Sequence, residues 1–195
     1  DRARRARYAL LADWARGQGI ADIAVGHTED DLAETFVMRL ARGAGVDGLA
    51  AMRDRWLQAG VTFHRPLLGQ GRAHLRDLLR ARGVAWVDDP TNSDAAYERA
   101  RTRAALSALA PLGIDTAMLA ATARKMAGVR AALYYQAHRL AQDHVRIEAG
   151  DVVIARAALL DMPDEAARRI LQTALRWING AEYPPRGTAM TQFLA

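Results

Sequence analysis

The sequence predicts an α/β fold, a sheet covered by helices, followed by a smaller, mainly helical α+β region. Three observations predict it. An apolar run at Ala21-Asp22-Ile23-Ala24-Val25 stops near His27, and after Thr28 apolar Ala33, Phe36, Val37, Leu40 and Ala41 recur at helical spacing. Strand-like and helix-like segments then alternate from Val61 to Val87, as βα layers do. Past Pro111-Leu112-Gly113, a strong boundary signal, the chain becomes one long alanine-rich helix.

In order, residues 1–17 form an amphipathic helix with Tyr8, Leu10, Leu11 and Trp14 among its apolar positions. The strand at 21–25 turns into the next helix at His27, and such turns at strand carboxyl ends form the ligand crevice of open α/β sheets. His27, Asp30, Asp31 and Glu34 therefore stand at its mouth. Asp31 and Glu34 are three residues apart on one helical face and can converge on a cation. Acids in a first turn also complement the helix dipole, with Thr28 as cap, and the residues alone leave both roles open.

Gly43-Ala44-Gly45-Val46-Asp47-Gly48 spells a dinucleotide fingerprint but follows a helix instead of a strand, which excludes nicotinamide binding. Gly43 instead ends the helix in a left-handed conformation. A strand at 61–64 runs into Arg65-Pro66-Leu67-Leu68, a helix covers 72–82 with Leu75, Leu78 and Leu79 inward, and 84–87 is a further short strand. Asp88-Asp89-Pro90-Thr91-Asn92-Ser93 is a turn cluster. In the helix after it, Arg99 and Arg103 share a face; the one nearby acid, Glu98, cannot neutralise both, so they can clamp a phosphate. A helix spans 116–142 with Leu119, Met126, Leu133 and Leu140 repeating at seven residues, a hairpin follows at 145–154, and a last helix runs from Met162-Pro163 to Ile178.

Charge and composition narrow the function classes. The 195 residues carry a formal charge of +5, and Lys125 is the sole lysine among 27 basic residues. Arginine suits bidentate phosphate contacts and base stacking, so an anionic partner such as RNA is favoured. The absence of cysteine excludes disulfides, thiolate metal sites and a cysteine nucleophile. No apolar run reaches the roughly 18 residues of a membrane span, and the expectation is a cytoplasmic protein without membrane contact. His64, His74, His138 and His144 lack ligand-spaced partners, and no metal ligands are assigned.

The pattern His27-x-x-Asp30-Asp31-x-Ala33-Glu34-Thr35, followed by Arg42-Gly43-x-Gly45-x-x-Gly48-Leu49, resembles the tRNA(Ile)-lysidine synthase family of PP-loop ATP pyrophosphatases. The likeness continues in order through Arg65-Pro66-Leu67-Leu68, Asp89-Pro90-x-Asn92 and Arg99-Ala100-x-x-Arg103, where Ala100 replaces the family's asparagine. It implies ATP-dependent joining of L-lysine to the wobble cytidine of the isoleucine tRNA with a CAU anticodon. The route is an adenylated cytidine, with ATP and Mg2+ required and AMP and pyrophosphate released. Residue by residue it implies Asp31 and Glu34 for lysine binding and, with His27, for catalysis. Arg4, His27 and Asp30 fall to the nucleotide, and Arg42, Arg65, Arg99 and Arg103 to tRNA.

The resemblance also implies a parallel-sheet PP-loop domain over 1–112 and a central tRNA-binding or substrate-binding domain over 113–195, in an assembly that could be a homodimer. The family's first strand and Ser-Gly-Gly-x-Asp-Ser phosphate loop are not in these residues, so an incomplete copy, inactive toward ATP by itself, is expected. The rival expectations are a PP-loop tRNA thiolase, which generally carries sulfur on cysteines, and a non-catalytic RNA-binding fragment.

Overall fold

A computed structural model describes residues 2–88 and 96–180. Contacts divide the chain into two compact units, Asp1–Ala127 and Gly128–Ala195. Pro111-Leu112-Gly113, where the sequence signals a boundary, lies within the first unit, at a 3-10 turn, Ala110–Leu112, closed by Gly113 at φ 77°.

In the first unit, α1 (Arg2–Gly17) buries Tyr8, Ala12 and Ala15 against Val61 and Phe63 of the sheet, with Leu11, Ile23, Val25 and Trp56 around them. Leu10 and Trp14, expected among the apolar positions, are exposed. The small alanines let the helix approach closely, and the aromatic residues fill the remaining volume. Tyr8 meets Trp56 and Phe63 edge-on, at 5.6 and 5.2 Å between ring centres, and Trp56 stacks on Phe63 at 5.0 Å. Such pairs contribute about 0.5 to 1.5 kcal/mol beyond burial.

The sheet holds β1 (Asp22–Ala24), β2 (Arg55–Gln58) and β3 (Val61–His64) in the order β1-β3-β2. β1 runs parallel to β3, with Ile23 opposite Phe63, whereas β2 is antiparallel to β3, with Trp56 opposite Phe63. The sequence reading lacked β2. Its signal was the Ala59-Gly60 pair between two short runs; both residues take positive φ, 50° and 77°, which suits a tight two-residue hairpin.

Helix α2 (Glu29–Leu40) places Ala33 and Phe36 against Leu119 and Ala123 of α6 (Thr116–His144), as its apolar stripe requires. Leu40 lies outside that core. Gly43 takes φ 68° after the helix. A methyl group at Gly48, in the short α3 (Val46–Leu49), would come within 2.6 Å of Ala44 Cβ, so only glycine fits the returning loop. Arg39 Nη1 pins that loop by donating to Gly48 O at 2.7 Å.

Helix α4 (Arg72–Ala81) follows, and α5 (Glu98–Leu109) leads into the 3-10 turn. Residues 84–87 do not form the expected strand. Val87 is almost wholly exposed there, and Trp86 lies over Arg76 and Arg80 of α4 in place of a sheet neighbour. The apolar run was too short to tell a strand from an extended connection. Leu78 is likewise exposed, not inward. Most of the Asp88–Ser93 turn cluster lies outside the described residues.

In the second unit, β4 (Val145–Glu148) and β5 (Asp151–Ile154) pair antiparallel through Ala149-Gly150, again a tight turn with both φ positive. The core is Ala137 of α6, Ala166, Ala167 and Ile170 of α8 (Asp164–Asn179), and Met162 just before α8. A short α7 (Arg156–Asp161) precedes α8, and Gly180 ends α8 at φ 58°.

Candidate functional site

The strand ends place the first group of site residues. Ala24 of β1 and His64 of β3 are register partners, so the chain leaves both strands side by side toward His27 and Arg65. Arg65 is buried; its backbone N–H donates to Asp54 O at 2.7 Å and its guanidinium to Arg53 O. The guanidinium carbon also lies 3.9 Å from the Trp56 ring centre. Its Nε donates to His27 Nδ1 at 3.3 Å. Nδ1 is then the unprotonated nitrogen, which leaves the proton on Nε2. Burial pushes the His27 pKa down; Arg65 adds to this, Asp31 opposes it, and Arg4 and Arg99 also lower it. His27 is therefore a neutral imidazole at neutral pH.

The carboxylates of α2 divide their work. Asp31 Oδ2 accepts from the Thr28 N–H at 2.8 Å and from its hydroxyl at 2.9 Å, which closes the helix start. Burial works to raise the Asp31 pKa, but these two bonds, with Arg72 and Arg99, hold the carboxyl below its ordinary value. Asp30 Oδ2 accepts the Arg72 N–H at 2.7 Å and so satisfies a free amide at the start of α4. Glu29 Oε1 accepts from Arg124 Nη2 at 2.7 Å, while its backbone N–H donates to Gln70 O at 3.0 Å.

Glu34 is 1% exposed, and three arginines from two other helices converge on it. Arg103 Nε donates to Oε1 at 2.6 Å, Arg72 Nη1 lies 3.6 Å from the same oxygen, and Arg99 Nε lies 3.9 Å from Oε2. Oε2 accepts no hydrogen bond among the described residues. Next to it is a cavity of about 290 Å³, lined by Asp30, Glu34, Arg72, Arg103, Ser107 and Thr116 among others. A buried carboxylate oxygen without a donor, beside such a cavity, suits a cationic hydrogen-bond donor.

The structure thus brings His27, Asp30, Asp31, Glu34, Arg65, Arg99 and Arg103 into one unit. Arg4 lies on α1 with its guanidinium over Tyr8, near enough to act on the charge of His27. Arg42 is exposed and paired with Glu98 at 2.5 Å. That corrects the charge balance read from the sequence: Glu98 turns to Arg42, and Glu34 on another helix answers both Arg99 and Arg103. Arg65 is enclosed by Trp56, His27 and backbone, which leaves little of it for a polyanion. Sequence reasoning missed Trp56 and Arg72, since neither belongs to a periodic or ligand-spaced pattern.

Among the described residues no group of three His, Asp or Glu could hold a metal ion by protein ligands alone. Asp30 and Asp31 each commit one oxygen to N–H or O–H donors, and Arg72 faces the other oxygen of Asp31.

Residues 1–110 match the family model of the PP-loop domain. Along its whole length the chain is 50% identical to a tRNA(Ile)-lysidine synthase of Ruegeria pomeroyi, of which it covers 46%. It is 41% identical to the enzyme of that name from Novosphingobium aromaticivorans, with 100% of the chain and 59% of the relative aligned. For that of Wolbachia pipientis wMel the identity is 33%, over 96% of the chain and 44% of the relative. The chain therefore spans about half the length of the curated relatives it matches. Because the family model covers more than half of its residues, and the sheet, His27 turn and α2 all lie inside the match, the chain belongs to the PP-loop domain family.

Proposed function

We propose that the natural protein carrying this chain joins L-lysine to the wobble cytidine of the isoleucine tRNA with a CAU anticodon, using ATP to activate the base. The full-length likeness to proteins named tRNA(Ile)-lysidine synthase supports this reading. One observation carries it onto the residues: Glu34, which lines a polar cavity, keeps a buried oxygen without a hydrogen-bond donor.

In this reading ATP adenylates the cytidine carbonyl oxygen and pyrophosphate leaves. The lysine ε-nitrogen then attacks the same ring carbon, its bond to that carbon forms as the bond to AMP breaks, and the amine gives up a proton. Asp31 Oδ1 and Glu34 hold the lysine ammonium, which gives up a first proton to become the neutral amine that attacks; a second leaves as the carbon–nitrogen bond forms. Glu34 Oε2 is the acceptor nearest to hand for the first proton. Neutral His27, fixed by Arg65, offers its Nε2–H to the phosphate oxygens of the nucleotide. Arg65 is then a positioning residue, and Arg99 and Arg103 carry the excess positive charge that faces tRNA or the adenylate. Arg4 and Asp30 belong to the nucleotide side, and Arg42 to the tRNA side.

The catalytic fold we infer is a parallel PP-loop sheet, of which β1 and β3 are the parallel pair, and residues 113–195 supply a tRNA-binding or substrate-binding domain. Labelled lysine incorporated into the CAU-anticodon isoleucine tRNA, with and without ATP, tests the function. Incorporation that requires ATP is the expected result. None at all, with folded protein that binds this tRNA, would reject lysine as the substrate.

A further inference from the structure

Two arginines approach the same oxygen of Glu34, and they do so differently. Arg103 donates to it at 2.6 Å, a true hydrogen bond, whereas Arg72 stands 3.6 Å from it and 3.6 Å from Asp31 Oδ1. The latter distances are within ion pairing and beyond hydrogen bonding. The guanidinium of Arg72 therefore neutralises two carboxylates without being bonded to either. What is bonded is its backbone: the N–H goes to Asp30 Oδ2, so the start of α4 does not depend on the side chain. That side chain is one-third exposed and has a way out to solvent.

We propose that Arg72 is a displaceable counter-cation occupying the amine subsite until a substrate ammonium replaces it, and that this exchange favours a primary amine over a guanidinium. The proposal rests on the amine-site reading of Asp31 and Glu34. An ammonium is compact and carries three rotatable donors, while a guanidinium is a planar fork. The fork stands 3.6 Å from both Asp31 Oδ1 and Glu34 Oε1, whereas a compact ammonium, whose bonds to carboxylate oxygens run about 2.7 to 2.9 Å, can turn a donor toward Glu34 Oε2 as well. Exchange thus turns two unbonded ion contacts into charge-assisted hydrogen bonds, and Glu34 Oε2, which lacks a donor, gains one. A substrate guanidinium would only reproduce the contacts Arg72 already makes. Before exchange, Arg72 relieves the repulsion between two carboxylates on one helical turn.

The test is calorimetric titration of L-lysine, with L-arginine as competitor, into the natural protein carrying this chain. Arg72→Ala should bind lysine about five- to tenfold more tightly, the weight of one or two partly exposed ion contacts, and should discriminate less against arginine. Arg72→Gln, which keeps most of the stem and loses the charge, should behave the same way and stands in for Arg72→Ala where that variant folds imperfectly. Arg72→Lys should restore competition and return the affinity to within about threefold of wild type. Equal or weaker lysine binding by both neutral variants, in a protein whose wild type binds lysine, would overturn the proposal and make Arg72 a fixed part of the site. No lysine binding by the wild type would instead overturn the amine-site reading, and the proposal with it.

Discussion

Each compact unit buries one ion almost completely, and the two solve that problem in opposite ways. In the first, the carboxylate of Glu34 is 1% exposed and its arginine partners come from α4 and α5, far along the chain. In the second, the guanidinium of Arg169 is 1% exposed, and its carboxylate partner Glu165 stands one turn earlier on the same helix at 2.8 Å. Tyr134 covers Arg169 at 4.4 Å from its ring centre. Arg168 binds both oxygens of Glu165 and chiefly holds its carboxyl below the ordinary range, with burial opposing and Arg169 assisting.

Arg169 meets Glu165 within α8 itself, so this pair assembles as soon as α8 forms. Glu34 meets its partners only after three helices assemble, and even then one oxygen lacks a donor. A buried ion whose partner stands on its own helix is assembled by local structure, whereas one whose partners come from distant elements is assembled only with the fold.

The sharpest way to break this comparison is Glu34→Gln. It removes the charge that three arginines face, so we expect lysine use to fall roughly ten- to a hundredfold. Urea denaturation should show a stability loss of about 3 kcal/mol, because the arginines lose their shared counter-ion. Asp31→Ala comes next, with lysine use reduced about tenfold and stability by about 1 kcal/mol through the lost helix cap.

Acid unfolding sharpens the same point. The folded Asp31 pKa lies below the ordinary 3.8. Its contribution is therefore fully present above that value and is lost as pH falls through the lower folded one, so the acid limb of stability should flatten in Asp31→Ala. Arg169→Met should be milder, since the Glu165 left behind is partly exposed and keeps both bonds from Arg168, so no buried charge is stranded; we expect a change within about 1 kcal/mol and unaltered lysine use. Smallest of all, Arg42→Ala removes an exposed pair with Glu98 and should shift stability by less than about 0.5 kcal/mol.

What was legible in the sequence was periodic or adjacent. The α2 stripe, the Thr28 cap, the helix-ending Gly43 and the second hairpin all follow from neighbours along the chain. β2 escaped because it has only four residues, two of them, Arg55 and Gln58, polar, and 84–87 misled because an apolar tetrapeptide fits an extended connection equally well. At the site, His27, Asp31 and Glu34 stood out through one turn and one helix face. The partner of Glu34 did not, because no local pattern states that Arg72 and Arg103 will meet it. Nor could spacing show that Glu98 would turn to Arg42, or that Arg65 would be enclosed by Trp56. Among the described residues no single helix is long and apolar enough to cross a membrane, in line with the composition.

The central claim is that Asp31 and Glu34 hold the amine and leave base activation to other groups. Its most direct measurement separates the two steps, pyrophosphate release with the CAU-anticodon tRNA and the lysine KM for incorporation, in wild type, Asp31→Ala and Glu34→Gln. The account predicts a lysine KM raised about tenfold or more in both variants, with pyrophosphate release within about threefold of wild type. An unchanged lysine KM, or pyrophosphate release lost to the same degree as incorporation, would contradict it.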